Sequence, residues 1–269
     1  MSSFRSKGAY SDFVHTVVEE RRWIFDEKTT EFLVAVRAAS RKRARSLKVG
    51  TRLCRAQRGS EFATVDDIHV EEEHPLPEKR MVPEPSLIRN DGRANPPGFA
   101  YLYLATTPAT ALAEMRPWIG EPVTLAIFEL LRSIKLVVCQ AGAEDWEQRL
   151  FDRRPSVEKR DQHVWNDISR AFARPVARDD QEGAYVPTQI LAEVFKAAGF
   201  DGLAYRSSLE RGTNIVLFDL GVAKPLPRCR YVYRLKRVSY DFNAAPDRAI
   251  YFDKDGASQC MTAIHTESP

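Results

Sequence analysis

Apolar residues recur at helical spacing early in the chain: Phe13, Val14, Val17 and Val18, then Phe32, Leu33, Val36 and Ala39. Intervals of three and four place each set on one helix face, so two helices are predicted between about Ser11 and Leu47. The second runs into the basic stretch Ser40 to Lys48, where positive charge suits a helix C-terminus. From Thr51 to Gln57 the pattern reads as a strand, with Leu53 and Arg55 on one face and Arg52 and Cys54 on the other. An arginine turned inward with Leu53 is costly unless it meets an anion.

Residues 59–91 are polar and proline-rich, with Pro75, Pro77, Pro83 and Pro85. They read as a long surface excursion, a lid or a partner-contact loop. Asn95 to Gly98 is a turn signal, Ala100 to Ala105 a short strand, and Thr107 and Pro108 are N-cap and first residue of a helix ending near Met115. Val123 to Leu130 and Ile134 to Cys139 are apolar strands expected at the centre of a sheet. Helices follow at about 145–152, 156–172 and 187–198, with Trp146 and Trp165 as core residues. Strands are expected at 201–208 and 214–218, joined by a glycine-containing loop, and at the sheet edge at 231–235 and 249–252. Helices at the front and mixed strands behind make an α+β fold, with residues 1–50 a helical extension and 51–269 the main domain.

Composition narrows the class. The chain has 269 residues, 43% of them hydrophobic and 29% charged, which describes a globular protein with a sizeable core. No run approaches the roughly 18 apolar residues of a membrane span, and the start lacks a signal-peptide core, so a cytoplasmic protein is expected. The four cysteines form no C-x-x-C pair and the five histidines have no ligand spacing; neither a zinc site nor a disulfide framework is expected. The net charge of +3 suits an anionic small molecule without requiring nucleic acid, although the basic run could contact it. His15 has no arginine at the spacing of a helical ribonuclease pair. Dinucleotide-binding glycine fingerprints, P-loops, H-E-x-x-H and G-x-S-x-G are absent.

What remains is the stretch from Gly92 to Pro117. It strings Arg93, Tyr101, Tyr103 and Glu114 onto a loop, a strand and a helix, the residue types that a ligand with phosphates, an aromatic ring and a ribose would use. Glu114 falls at a helix C-terminus, where the macrodipole favours a cation. Such a glutamate is either simply solvated or held there for a purpose.

Four segments together resemble the RES-domain family, bacterial proteins named for an arginine, a glutamate and a serine. They are Leu53 to Arg58, with Arg55 in the first arginine's position; Gly92 to Pro117, with Arg93, Tyr103 and Glu114; Tyr185 to Glu193, with Gln189; and Gly199 to Phe218, with Ser207. The resemblance spans about Thr51 to Leu220. Two positions depart from it: Ala94 and Cys54 stand where members commonly carry an aromatic.

The resemblance implies a fold related to ADP-ribosyltransferase toxins, with a mixed β core and flanking helices. It also implies that NAD is consumed as a substrate, with no separate cofactor, by phosphorolysis, hydrolysis or ADP-ribose transfer to a protein. Many relatives are growth-inhibiting toxins held by a cognate antitoxin, so NAD, inorganic phosphate and an antitoxin are the expected partners. Cleaving the nicotinamide–ribose bond builds positive charge on the ribose, which Glu114 would stabilise. Arg55 and Arg93 would hold pyrophosphate or gather phosphate. Tyr103, with Tyr101 as rival, would offer an aromatic face; Ser207 would bond a phosphate or ribose oxygen, and Gln189 is a lesser polar contact. A non-catalytic NAD-sensing or interaction module is the alternative from another class.

Overall fold

The computed structural model describes residues 3–65, 70–88, 91–140, 155–174, 183–239, 248–252 and 258–262. The N-terminal part holds helices α1 (Ala9–His15) and α2 (Glu27–Ser40), joined through a π-helical turn at Thr16–Glu20. Strands β1 (Ala44–Leu47), β2 (Arg52–Arg58), β3 (Glu61–Val65) and β4 (Val70–His74) follow, then the short helix α3 (Glu78–Met81). Next come β5 (Leu102–Ala105), α4 (Pro108–Glu114), β6 (Pro122–Leu130) and β7 (Ile134–Cys139). Helices α5 (Val157–Ala173) and α6 (Val186–Ala197) precede β8 (Gly202–Arg206), β9 (Thr213–Leu217) and β10 (Ala223–Arg234). Residues 1–235 form one compact unit and 236–269 another. The second contains the antiparallel strand pair β11 (Arg248–Phe252) and β12 (Ser258–Thr262).

Eight strands of the first unit form one sheet in the order β1-β7-β8-β9-β5-β2-β6-β10, antiparallel throughout except for the parallel pair β7–β8. The mixed sheet with flanking helices is the expected α+β class. β6 and β7, expected at its centre, are instead each next to an edge, five strand positions apart. Yet residues 131–133 alone link them. A flat sheet would separate them by about 24 Å, while four residue steps span at most about 14 Å, so the sheet must curl until the two strands face one another. Inside the curl, Leu53, Phe128 and Leu130 meet Leu136, Ala204 and Ile215 in one apolar cluster. Pairing fixed the neighbours; the curl, not sequence adjacency, buried the strands.

The opposite sheet face carries the helices. Trp165 of α5 stacks on Phe195 of α6 with centroids 6.2 Å apart. Phe13 of α1 stacks on Phe32 of α2 at 4.7 Å, and all four belong to one core with Val137, Leu203 and Val216 from the sheet. Trp165 is thus a core residue as expected, whereas Trp146 and the helix at 145–152 lie outside the described residues.

Two local readings are corrected. The basic stretch after Ser40 is not a helix end: α2 gives way to a 3-10 turn at Arg41–Arg43 and then to β1. Backbone pairing of Ala44–Leu47 with β7 replaces helical hydrogen bonds, and Arg43 lies over the Trp165 ring at 4.4 Å. The polar excursion after Gly59 is also more ordered than expected. Glu61–Val65 and Val70–His74 close a two-stranded ladder, and α3 buries Met81 in the core inside the curl.

Candidate active site

β2 and β5 are sheet neighbours that meet at a single register pair, Cys54 with Ala105. On one side β2 continues along β6 for seven register pairs, and on the other β5 runs along β9 for four. Where the two strands part, backbone groups lose their ladder partners and a cleft of about 330 Å³ opens. Its lining includes Arg55, Arg93, Tyr103, Glu114, Tyr205 and Asn214. The structure therefore brings together residues from β2, the 91–99 loop, β5, α4, β8 and β9.

Glu114 is placed by α4, which begins as its sequence demands. The Thr107 hydroxyl accepts a hydrogen bond from Thr110 N at 3.1 Å and Pro108 opens the first turn, the arrangement in which proline costs no hydrogen bond. The Glu114 carboxylate is not simply solvated. Its Oε1 accepts from Ser207 Oγ at 2.7 Å and from Asn214 Nδ2 at 2.6 Å. Both bonds fall on the same oxygen.

Ser207 follows β8 immediately and is buried. Its amide bonds Gly212 O at 3.0 Å, and its hydroxyl oxygen accepts from the amides of Leu209 (3.2 Å) and Glu210 (3.4 Å). Those two donors leave the hydroxyl proton for Glu114. The helix can approach this turn because residue 212 is glycine: a Cβ there would stand 2.1 Å from Thr110 Oγ1.

Arg55 is half-buried. It reaches across the parted strands to donate from Nη1 to the Tyr103 carbonyl at 3.0 Å, while its buried Nε has no hydrogen-bond partner among the described residues. Burial pulls its pKa down to about 10, since the charge has lost water and meets no carboxylate among the described residues. A buried guanidinium with an unused donor is a place for an anionic ligand. Arg93 bonds the Phe172 carbonyl and lies over the Tyr205 ring at 5.7 Å.

Tyr103 uses its hydroxyl on the protein itself, donating to Asn95 Oδ1 at 2.6 Å and accepting from Ala94 N at 3.1 Å. Burial raises its phenol pKa. The bond ties β5 to the loop bearing Arg93, which also requires Gly92: a Cβ there would meet Asn95 Oδ1 at 2.3 Å and Tyr103 Oη at 2.6 Å. The rival Tyr101 is buried against Phe218, centroids 5.1 Å apart, and is not part of the cleft lining. Gln189 stands behind the loop, not in the cleft. Its amide donates to the carbonyls of Gly92 (3.0 Å) and Asn95 (3.2 Å), so it holds Arg93's loop in place. Ala94 is fully buried, so its small side chain does not widen the cleft.

Asn214 and Tyr205 escaped the sequence reading although both lie in strands it recognised. Alternation was the available signal: Tyr205 is two residues before Ser207, and Asn214 is Tyr205's register partner on β9. Among the described residues no group of three or more His, Cys, Asp or Glu can hold a metal ion, and no helix is long and apolar enough to cross a membrane.

No functionally curated protein matches the chain in sequence. Among solved structures, a chain of the M. tuberculosis MbcT–MbcA toxin–antitoxin complex is similar over 74% of this chain and 91% of its own, at 11% identity and a TM-score of 0.37. Arg93, Tyr103, Glu114, Gln189 and Ser207 all lie within the segment that matches a known family, and Arg55 joins them from just before it. That segment, residues 68–241, matches the RES domain over more than half of the chain, and the protein belongs to the RES-domain family.

Proposed function

We propose that this cleft cleaves the bond between nicotinamide and ribose in NAD. The observation that carries the reading is the fixed Glu114 carboxylate facing the same cleft as the anion-deficient Arg55. Ser207 and Asn214 occupy Oε1, which leaves Oε2 to face the ribose, and among the described residues no hydrogen bond to Oε2 is recorded. A carboxylate held in advance stabilises the oxocarbenium-like charge without reorganising during the reaction. Arg55 and Arg93 take the pyrophosphate, and the Tyr103 and Tyr205 rings wall the site.

As the C1′–N bond breaks, its electron pair passes to the nicotinamide ring, which departs neutral. No general acid is needed for that step. The ribose carbon then takes an oxygen from phosphate, giving ADP-ribose 1″-phosphate, or from water, which releases a proton as ADP-ribose forms. Transfer to a protein nucleophile is the third outcome. In this reading the chain is a cytoplasmic, growth-inhibiting toxin, and a cognate antitoxin controls it.

Incubation of the purified protein with NAD, with and without phosphate, followed by mass analysis of the products, tests the proposal and separates the acceptors. Nicotinamide release that requires phosphate identifies phosphorolysis, and release in phosphate-free buffer identifies hydrolysis. ADP-ribose left on a polypeptide identifies transfer to protein. No nicotinamide under any condition sinks the reading; NAD binding without turnover would then favour a sensing module.

A further inference from the structure

Arg58 lies three residues beyond Arg55 on the same strand. Its Nε and Nη2 donate to the Met115 carbonyl at 2.8 and 2.6 Å, and Nη2 also donates to the Arg116 carbonyl at 2.5 Å. Nη1 stands 3.5 Å from Glu121 Oε1, while Glu121 Oε2 accepts from Trp118 N at 2.8 Å. These contacts surround the chain just after Glu114.

Three features make that helix end unfavourable by itself. A carboxylate in the last turn opposes the macrodipole, and the final carbonyls lack helical partners. In addition, Arg116 adopts φ 45°, a left-handed conformation in the place where helices usually carry glycine. For a residue with a Cβ this conformation is strained. The Arg58 guanidinium answers this by bringing positive charge to the helix terminus and by holding the carbonyls of Met115, which caps the helix, and of Arg116, just beyond it.

We infer that Arg58 is a positioning residue for Glu114. One strand then sets both partners of the reaction: Arg55 meets the anion, and Arg58, from the same backbone, clamps the helix end that aims the carboxylate. The inference rests on the cleavage reaction proposed above. It differs from a purely stabilising cap in what it predicts. A cap would affect binding and turnover together with stability, whereas a misaimed Glu114 lowers turnover while the anion contacts remain.

The test compares wild type, Arg58→Gln, and Arg58→Gln combined with Arg116→Gly. In Arg58→Gln, kcat for nicotinamide release falls on the order of ten- to a hundred-fold, the scale of a displaced catalytic group, while KM for NAD stays within about twofold. Arg116→Gly restores much of the loss, because glycine takes positive φ without strain. Amide hydrogen exchange at Ala113, Met115 and Arg116 reads the clamp without any activity: it speeds up in Arg58→Gln and slows again in the double variant. Unchanged exchange in Arg58→Gln, or losses of kcat and affinity that both track melting temperature, overturns the inference. Wild-type protein that releases no nicotinamide retires the cleavage reading alone, and the exchange data still decide for or against the clamp.

Discussion

Ser207 Oγ donates a 2.7 Å hydrogen bond to Glu114 Oε1 across 93 positions of sequence. The serine's proton is committed to the carboxylate, and in the proposed reaction its part is to hold Glu114. Removing a donor to a charged acceptor costs about 1.5–3 kcal/mol. Ser207→Ala is therefore expected to lower kcat roughly ten- to a hundred-fold with a smaller change in KM, as steady-state nicotinamide release will show.

Asn214→Asp tests the other bond to that oxygen. It replaces a donor 2.6 Å from Oε1 with a second carboxylate that repels the group it held, so Glu114 loses its fixed position. Nicotinamide release should fall at least about tenfold in kcat. Undiminished turnover argues that this bond does not hold the reacting carboxylate.

Arg55→Met separates binding from stability. At pH 7, below both its folded pKa of about 10 and its higher ordinary value, Arg55 is charged in the folded and the unfolded chain, and its desolvation penalty is fully present. The penalty lifts only as pH rises through this window, because there the unfolded state binds more protons. The methionine variant should melt no lower than wild type, and ADP-ribose should no longer raise its melting temperature. Retained stabilisation by ADP-ribose would falsify the anion-binding assignment.

Tyr103→Phe leaves Asn95 Oδ1 and Ala94 N without the hydroxyl that joins them. The expected loss is about 1–3 kcal/mol of stability, with weaker NAD binding as the Arg93 loop loosens. Gly92→Ala should behave similarly, since its added Cβ meets both partners of that bond. Denaturant unfolding and NAD titration measure the two effects; a variant that binds NAD normally places the loop outside the site.

Alkaline pH should expose the buried phenols. Tyr10, Tyr103 and Tyr205 have pKa values raised from 10, first of all by burial. A raised acid pKa means the folded state keeps its proton longer, so this stability is complete below pH 10 and is lost as pH rises beyond it. Melting temperature should fall steeply above pH 10, and phenolate absorbance should appear together with unfolding. Phenolate formation in the native protein would show these rings to be solvated.

The sequence by itself determined most of the local elements and named most of the candidate site residues. Thr107 and Pro108 announce α4, alternation announces β2, apolar runs announce β6 and β9, and the ordered recurrence of Arg55, Arg93, Tyr103, Glu114 and Ser207 marks the candidate site. These signals are short-range, because capping, turn formation and strand alternation depend on neighbouring residues. Only the tertiary structure decided the rest. Strand order placed β6 and β7 next to opposite edges instead of at the expected centre, the curl of the sheet brought them face to face, and backbone pairing with β7 turned the basic run after Ser40 into an edge strand. It sent Gln189 behind the loop and buried Tyr101. It also brought Asn214 to the oxygen of Glu114 that Ser207 already holds. A side chain's partner across a hundred residues depends on strand order and register, which local patterns do not encode.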